Sequence, residues 1–268
     1  MKNKKWISLA AAVVLAVTAL PAGVFAAKRD GTEEKLTKVT LNEVAHSIFY
    51  APQYVAIEEG YFEEEGLDLT LVTGFGADKV LTALISGEAD IGFMGAEASI
   101  YACQEGATDP AVNFAQLTQR AGNFLVAREE MPDFKWEDLK GKKVLGGRKG
   151  GMPEMVFEYI LKKNGIDPQK DLTIDQSIDF GSTAAAFTGD DSAAYTVEFE
   201  PSATILEKEG AGHVVASLGE ASGYVPYTSY SVKTSYMKET RRSSRNSQMH
   251  FRKVWTMCRV IRRRRSQK

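Results

Sequence analysis

Cysteine and histidine are the scarcest chemistry-bearing residues of this chain, 2 and 3 among 268. Cys103 and Cys258 have no paired spacing, so neither a disulfide framework nor a cysteine zinc site is expected. His46, His213 and His250 do not form HExxH, and no GxSxG elbow, dinucleotide GxGxxG or phosphate-loop GxxxxGK[ST] occurs. Ser177, Ser182 and Thr183 have no evident base beside them. The common hydrolase, metalloenzyme and nucleotide-binding readings are therefore without support, and no catalytic residue, cofactor or metal is expected. Long apolar runs are missing too: Trp6 to Leu20 falls short of the roughly 20 residues that span a bilayer. Acidic residues are absent from 241–268, which hold 11 of the 33 Lys and Arg, leaving 22 basic against 35 acidic residues in 1–240. The body is thus strongly acidic under a formal net charge of −2, which argues against nucleic acid as its partner.

What is present starts with Lys2, Lys4 and Lys5 before the short apolar run, then Val24, Phe25 and Ala26. That pattern is a secretory signal peptide over 1–26, so the chain is expected outside the cytoplasmic membrane, in the periplasm or on the extracellular face. A polar leader follows over 27–37. At the other end, 241–268 reads either as a basic arm or as an out-of-frame product. The second reading has a physical pattern behind it. In the shifted frame the positions of Ser247, Phe251, Trp255 and Cys258 take apolar residues, one stripe of an amphipathic helix.

Between the ends, helical and strand periods alternate. Val39 to Val44 is a strand, and Pro52 opens a short helix whose apolar stripe is Ala51, Tyr54, Val55 and Ile57, stopped by Gly60. Leu67, Leu69 and Leu71 alternate as a strand. A helix over Ala77 to Ser86 carries Val80, Leu81, Leu84 and Ile85 and ends at Gly87, and strands follow at Ile91 to Met94, Ala111 to Leu117 and Asn123 to Ala127. A second set runs from Lys143 to Leu145 through a helix opening at Met152, helices over 180–187 and 200–209, and strands at 194–199 and 214–218. Tyr227 to Val232 returns. Such alternation gives parallel, helix-covered sheets, with ligands beyond the strand C-termini.

Several of these stretches carry a resemblance. PQYVAIEEGYFEEEGLDLTLV, GFGADKVLTALISGEADIGFMGAEASIYACQEG, FKWEDLKGK and the FEP at 199–201 resemble the solute-binding proteins that feed ABC importers, in the nitrate, sulfonate, taurine and thiamine-pyrimidine group. The resemblance covers about 38–240 and implies an α/β, two-lobe, type II periplasmic-binding-protein-like fold with a hinge of two crossover strands. The lobes would be 38–119 with 223–240, and 120–222. The fold's C-terminal helices would be missing or replaced by the out-of-frame tail. It implies a monomer that captures a small organic solute, a sulfonate-, taurine- or nitrate-like anion or a pyrimidine-type heterocycle, and delivers it to a membrane permease. An enzyme of the same fold acting on a pyrimidine or menaquinone precursor, or a secreted sensor, are the alternatives.

The expected ligand residues lie on the loops at strand ends. His46 either bonds a ligand or caps its own strand, and Phe49, Tyr50 and Phe75 either stack on a planar ligand or join the core. Gly76, Gly95 and Ala96 shape the first-lobe loops. Glu97 either meets a ligand or compensates a helix dipole. Arg148, Gly150, Gly151 and Met152 form a glycine-rich loop at a helix N-terminus, suited to an anionic or polar group. Glu200 matches the family's acidic-Pro position. A carboxylate facing the cleft favours a cationic or hydrogen-bond-donating ligand over nitrate, and Arg148 with Lys149 pushes the other way.

Overall fold

The computed structural model describes residues 36–179, 181–239 and 259–260. The expected signal peptide, the leader before Leu36, Phe180, and the tail apart from Arg259 and Val260 lie outside the described residues.

In chain order the first half runs β1 (Thr37–Glu43), α1 (Ala51–Glu58), α2 (Tyr61–Glu64), β2 (Leu67–Thr73), α3 (Ala77–Ser86), β3 (Ile91–Gly95), α4 (Glu97–Gln104) and β4 (Ala111–Thr118). The chain then crosses to β5 (Asn123–Ala127), β6 (Lys143–Leu145), α5 (Met152–Lys163), β7 (Thr173–Asp175), α6 (Thr183–Gly189), β8 (Tyr195–Phe199), α7 (Ser202–Lys208), β9 (His213–Ser217) and α8 (Leu218–Ser222). It recrosses into β10 (Thr228–Lys233) and α9 (Thr234–Glu239). Gly60 (φ 69°) and Gly87 (φ 86°) take the left-handed conformation that closes α1 and α3, where a Cβ would be strained.

Two five-stranded sheets result, ordered β2-β1-β3-β10-β4 and β7-β6-β8-β5-β9. They are mixed rather than parallel throughout. β10 is antiparallel to β3 and β4, and β5 is antiparallel to β8. The cause is connectivity: a strand that arrives directly from the other half enters at the edge where the parallel strands end, and must run away from it. The crossings lie side by side, Val225 N–H donating to the Gln119 carbonyl (2.9 Å) and Thr228 N–H to Thr118 Oγ1 (2.9 Å).

Each sheet packs its own core. Val39, Leu41, Leu84, Ile91, Phe93 and Tyr230 are buried in the first, with Val260 from the tail; Leu125, Val144, Phe157, Ile160 and Val197 are buried in the second. Arg259 pairs with Glu65 at 2.8 Å. Two helix faces differ from the expected stripes. In α3, Ile85 is exposed while Val80, Ala83 and Leu84 are buried. In α1 the buried residues are Gln53 and Ala56. Gln53 donates to Glu43 Oε2 (3.0 Å) and accepts from the Tyr230 hydroxyl (2.8 Å), so a polar network holds a place that an apolar residue was expected to fill. Among the described residues no helix is long and apolar enough to cross a membrane.

Candidate functional site

β1 ends at Glu43, a fully buried carboxylate that accepts from Gln53, the Tyr54 hydroxyl (2.9 Å), Thr73 Oγ1 (3.1 Å) and His46 (Nδ1, 2.9 Å). A buried carboxyl group with four partners costs far less than a bare one. It also orients the following loop, because His46 is both bonded to Glu43 and stacked on Tyr54 with ring centroids 4.4 Å apart. Two thirds of the His46 side chain remains exposed at the rim.

Beyond these strand ends, between the two sheets, lies a cavity of about 230 Å³. His46, Tyr50, Phe75 and Gly76 line it from the first half, with Gly95 and Glu97 deeper. Arg148, Gly151, Met152 and Glu200 line it from the second. The structure therefore brings these expected residues together. Phe49, Ala96 and Gly150 are placed elsewhere. Phe49 wedges between the halves, 6.0 Å from Phe199 and 5.8 Å from Tyr227 by ring centroids. The Ala96 carbonyl accepts from Ser99 Oγ (2.8 Å) behind the wall, and Gly150 donates its N–H to Glu154 Oε2 (3.2 Å).

The last bond bears on the expected anion site. At the start of α5 the backbone donors that would hold an anion already have protein acceptors: Gly150 N–H goes to Glu154, Gly151 N–H to the Arg148 carbonyl (3.1 Å), and Met152 N–H to Glu97 Oε1 across the cavity (3.1 Å). Arg148 is paired with Asp78 at 3.1 Å. The helix N-terminus is thus compensated by internal carboxylates.

Three carboxylates reach the cavity, in different states. Glu200 Oε2 accepts from the Thr204 N–H in the first turn of α7 (3.1 Å), and the Glu200 carbonyl accepts from Ser47 Oγ across the cavity (3.1 Å). Its carboxylate is thereby engaged at the N-terminal turn of that helix. Glu97 is 4% exposed, and its Oε2 has no hydrogen-bond partner among the described residues. Burial raises its pKa from 4.5 to about 7, against the lowering effects of its own amide, the Met152 N–H, Arg148 and the Ala98 N–H. A Cβ on Gly95 would collide with this carboxylate, so glycine there leaves it room. Glu198, on β8, is also 4% exposed and lines the cavity. Burial raises its pKa, opposed by hydrogen bonds from Thr196 (2.7 Å) and Thr183.

Glu198 and Tyr227 were not among the expected site residues. The signal for Glu198 was the Thr-x-Glu alternation of TVEF, which puts Thr196 and Glu198 on one face of a strand. Tyr227 lines the cavity fully buried, with its hydroxyl unpartnered among the described residues. Phe75 stands at the mouth, 61% exposed and at φ 56°, a left-handed conformation uncommon for a bulky residue. Among the described residues no group of three His, Cys, Asp or Glu side chains could hold a metal ion.

Comparison with known proteins agrees with this architecture. The family model described as "NMT1/THI5 like" matches residues 48–241. The Bacillus subtilis (strain 168) protein YtlA, named as a binding protein, is 51% identical over 235 residues, covering 88% of this chain and 69% of that protein. The periplasmic aliphatic sulphonate binding protein SsuA from Escherichia coli superposes with a TM-score of 0.64 at 17% identity, over 86% of this chain and 75% of that one. The alkanesulfonate-binding protein SsuA from Xanthomonas axonopodis pv. citri, bound to MOPS, gives 0.62 at 18% identity, over 76% and 68%. The fold is that of the periplasmic binding proteins.

Proposed function

The chain belongs to the NMT1/THI5-like family, and from that premise we propose that it is an extracytoplasmic solute-binding protein that hands a small organic solute to the permease of an ABC importer. In this reading it acts as a monomer, and as a binder rather than an enzyme, the latter in keeping with the name of its half-identical relative. The observation that carries the reading is the position of the cavity, walled by strand-end loops of both halves beside the two hydrogen-bonded crossings. A solute touching both walls would favour their approach, a hinge closure biased by differential contacts. Of the two solute classes the resemblance implies, the cavity supports the pyrimidine-type heterocycle over a sulfonate-, taurine- or nitrate-like anion. Its buried carboxylates oppose an anion, Arg148 is engaged by Asp78, and Tyr50 and Phe75 offer ring faces. At about 230 Å³ it lies below the roughly 300 Å³ at which drug-sized pockets begin, so a one-ring solute is the expected size.

Native mass spectrometry of the full chain purified from its secreting host tests this, followed by uptake of the identified solute with and without the gene. A co-purifying small molecule whose uptake falls on deletion is expected. Conversion of that molecule by the purified chain would overturn the reading.

A further inference from the structure

Resting on the solute-binding reading, we infer that the solute is an organic cation whose charged N–H group is held by Glu97 Oε2 and the Tyr227 hydroxyl, with Glu198 as a second carboxylate on the opposite wall.

Two independent orphan groups point there. Glu97 Oε2 and the Tyr227 hydroxyl are both buried, both belong to residues lining the one cavity, and both are without a hydrogen-bond partner among the described residues. A buried polar atom left unpaired costs free energy that a ligand donor recovers. The two belong to one electrostatic neighbourhood, since Glu97 acts on Tyr227 through space, as Tyr50 does. Tyr227 can accept through its oxygen lone pairs while Glu97 accepts through Oε2, which suits a group carrying two or more N–H donors.

The charge balance decides the sign. Glu97 and Glu198 both line the cavity, among the described residues no Lys or Arg is bonded to either, and Arg148, whose charge acts on Glu97, makes its ion pair with Asp78. An anionic solute would add negative charge beside two buried carboxyl groups in a site of low dielectric, whereas a cation favours their ionised form and pairs with it. The contact between Glu97 Oε1 and the Met152 N–H uses the other oxygen and survives cation binding. The opposing possibility is that Glu97 merely stands in at the N-terminus of α5 for a ligand anion that displaces it.

The two are separated by one-ring probes of nearly equal shape: benzamidinium and benzylammonium as cations, benzamide as the neutral analogue, benzenesulfonate as the anion. Each is titrated calorimetrically into the full chain at pH 8, with native mass spectrometry as a second readout. The cations are expected to bind at least tenfold tighter than benzamide, and benzenesulfonate to show no heat. Glu97→Gln should cut benzamidinium affinity by tenfold or more while leaving benzamide within about threefold, and Tyr227→Phe should cut it by a smaller factor. The comparison of probes on the unaltered protein stands even if a variant fails to fold. Benzamide or benzenesulfonate binding as well as the cations overturns the cation assignment and leaves solute binding standing. No binding by any probe overturns the assignment too, and the solute-binding reading then falls only if the chain also carries no small molecule when purified.

Discussion

Glu97 is where a single side chain most affects the whole. Its ionised form is penalised by burial, so the folded chain keeps the proton up to about pH 7, whereas an unfolded chain releases it near 4.5. Between those values the folded state binds more protons, so stability is fully present below 4.5 and is lost as pH rises through 7. The loss is on the order of 3 kcal/mol. Chemical denaturation at pH 5 and pH 8 should show it, and Glu97→Gln should remove the share that Glu97 contributes, flattening part of the difference. Glu154, also raised to about 7 by burial and by Glu158, titrates in the same window, and it and Glu198, raised by burial, contribute the slope that remains. An unchanged slope in the variant would mean that Glu97 is ionised in the folded chain at all these values. The same proton opposes the proposed cation, so benzamidinium affinity should rise about tenfold per pH unit below 7 and level off above.

Elements explain why Phe49, an expected ligand residue, belongs to the hinge. Its ring packs against both cores and fills the space over Gly122 in the first crossing, where a Cβ would collide with it. Gly122→Ala should cost roughly 1 to 3 kcal/mol by forcing the ring off Phe199 and Tyr227. Phe49→Ala should cost about 2 to 3 kcal/mol, since the ring is only partly buried. The double variant should cost clearly less than the two together, because the smaller side chain vacates the space that the new methyl needs. Strict additivity in denaturant midpoints would refute the contact. Elements with strong end signals were readable from the residues alone: α3 is bounded by Gly76 and Gly87, and β5 and β6 start and stop where polar residues and glycines flank the apolar runs. The direction of β5 and β10 was not readable, because it follows from a crossing between halves rather than from any local pattern. The carboxylates divide the same way. Glu97 was visible at a helix start. Glu198 sits inside a buried strand, where sequence alone gives no reason to expect a ligand residue, while Glu200, in the FEP that carries the resemblance, accepts from an N–H of the first turn of α7.

At the scale of the molecule, the question is what keeps the halves together. Beside the Phe49 wedge, four polar contacts among the described residues join them around the cavity: Arg148 with Asp78, Ser47 with the Glu200 carbonyl, Met152 N–H with Glu97, and the Tyr101 hydroxyl with Met155 Sδ at 3.3 Å. The ion pair is about a third exposed on the arginine side and half exposed on the aspartate side, so solvent screening limits it to roughly 1 kcal/mol at most. That is about a fivefold bias, so this pair alone does not hold a closed form, and the proposed solute, touching both walls, would supply the rest. Asp78→Asn should therefore change solute affinity by no more than about fivefold, and the small effect should fade further at high salt. Loss of a solute contact should cost tenfold or more. X-ray scattering completes the test: the unliganded chain should have a larger radius of gyration than the solute-bound one, and Asp78→Asn should leave the bound value unchanged. If the variant instead stayed expanded at saturating solute, the ion pair and not the solute would be what closes the cavity.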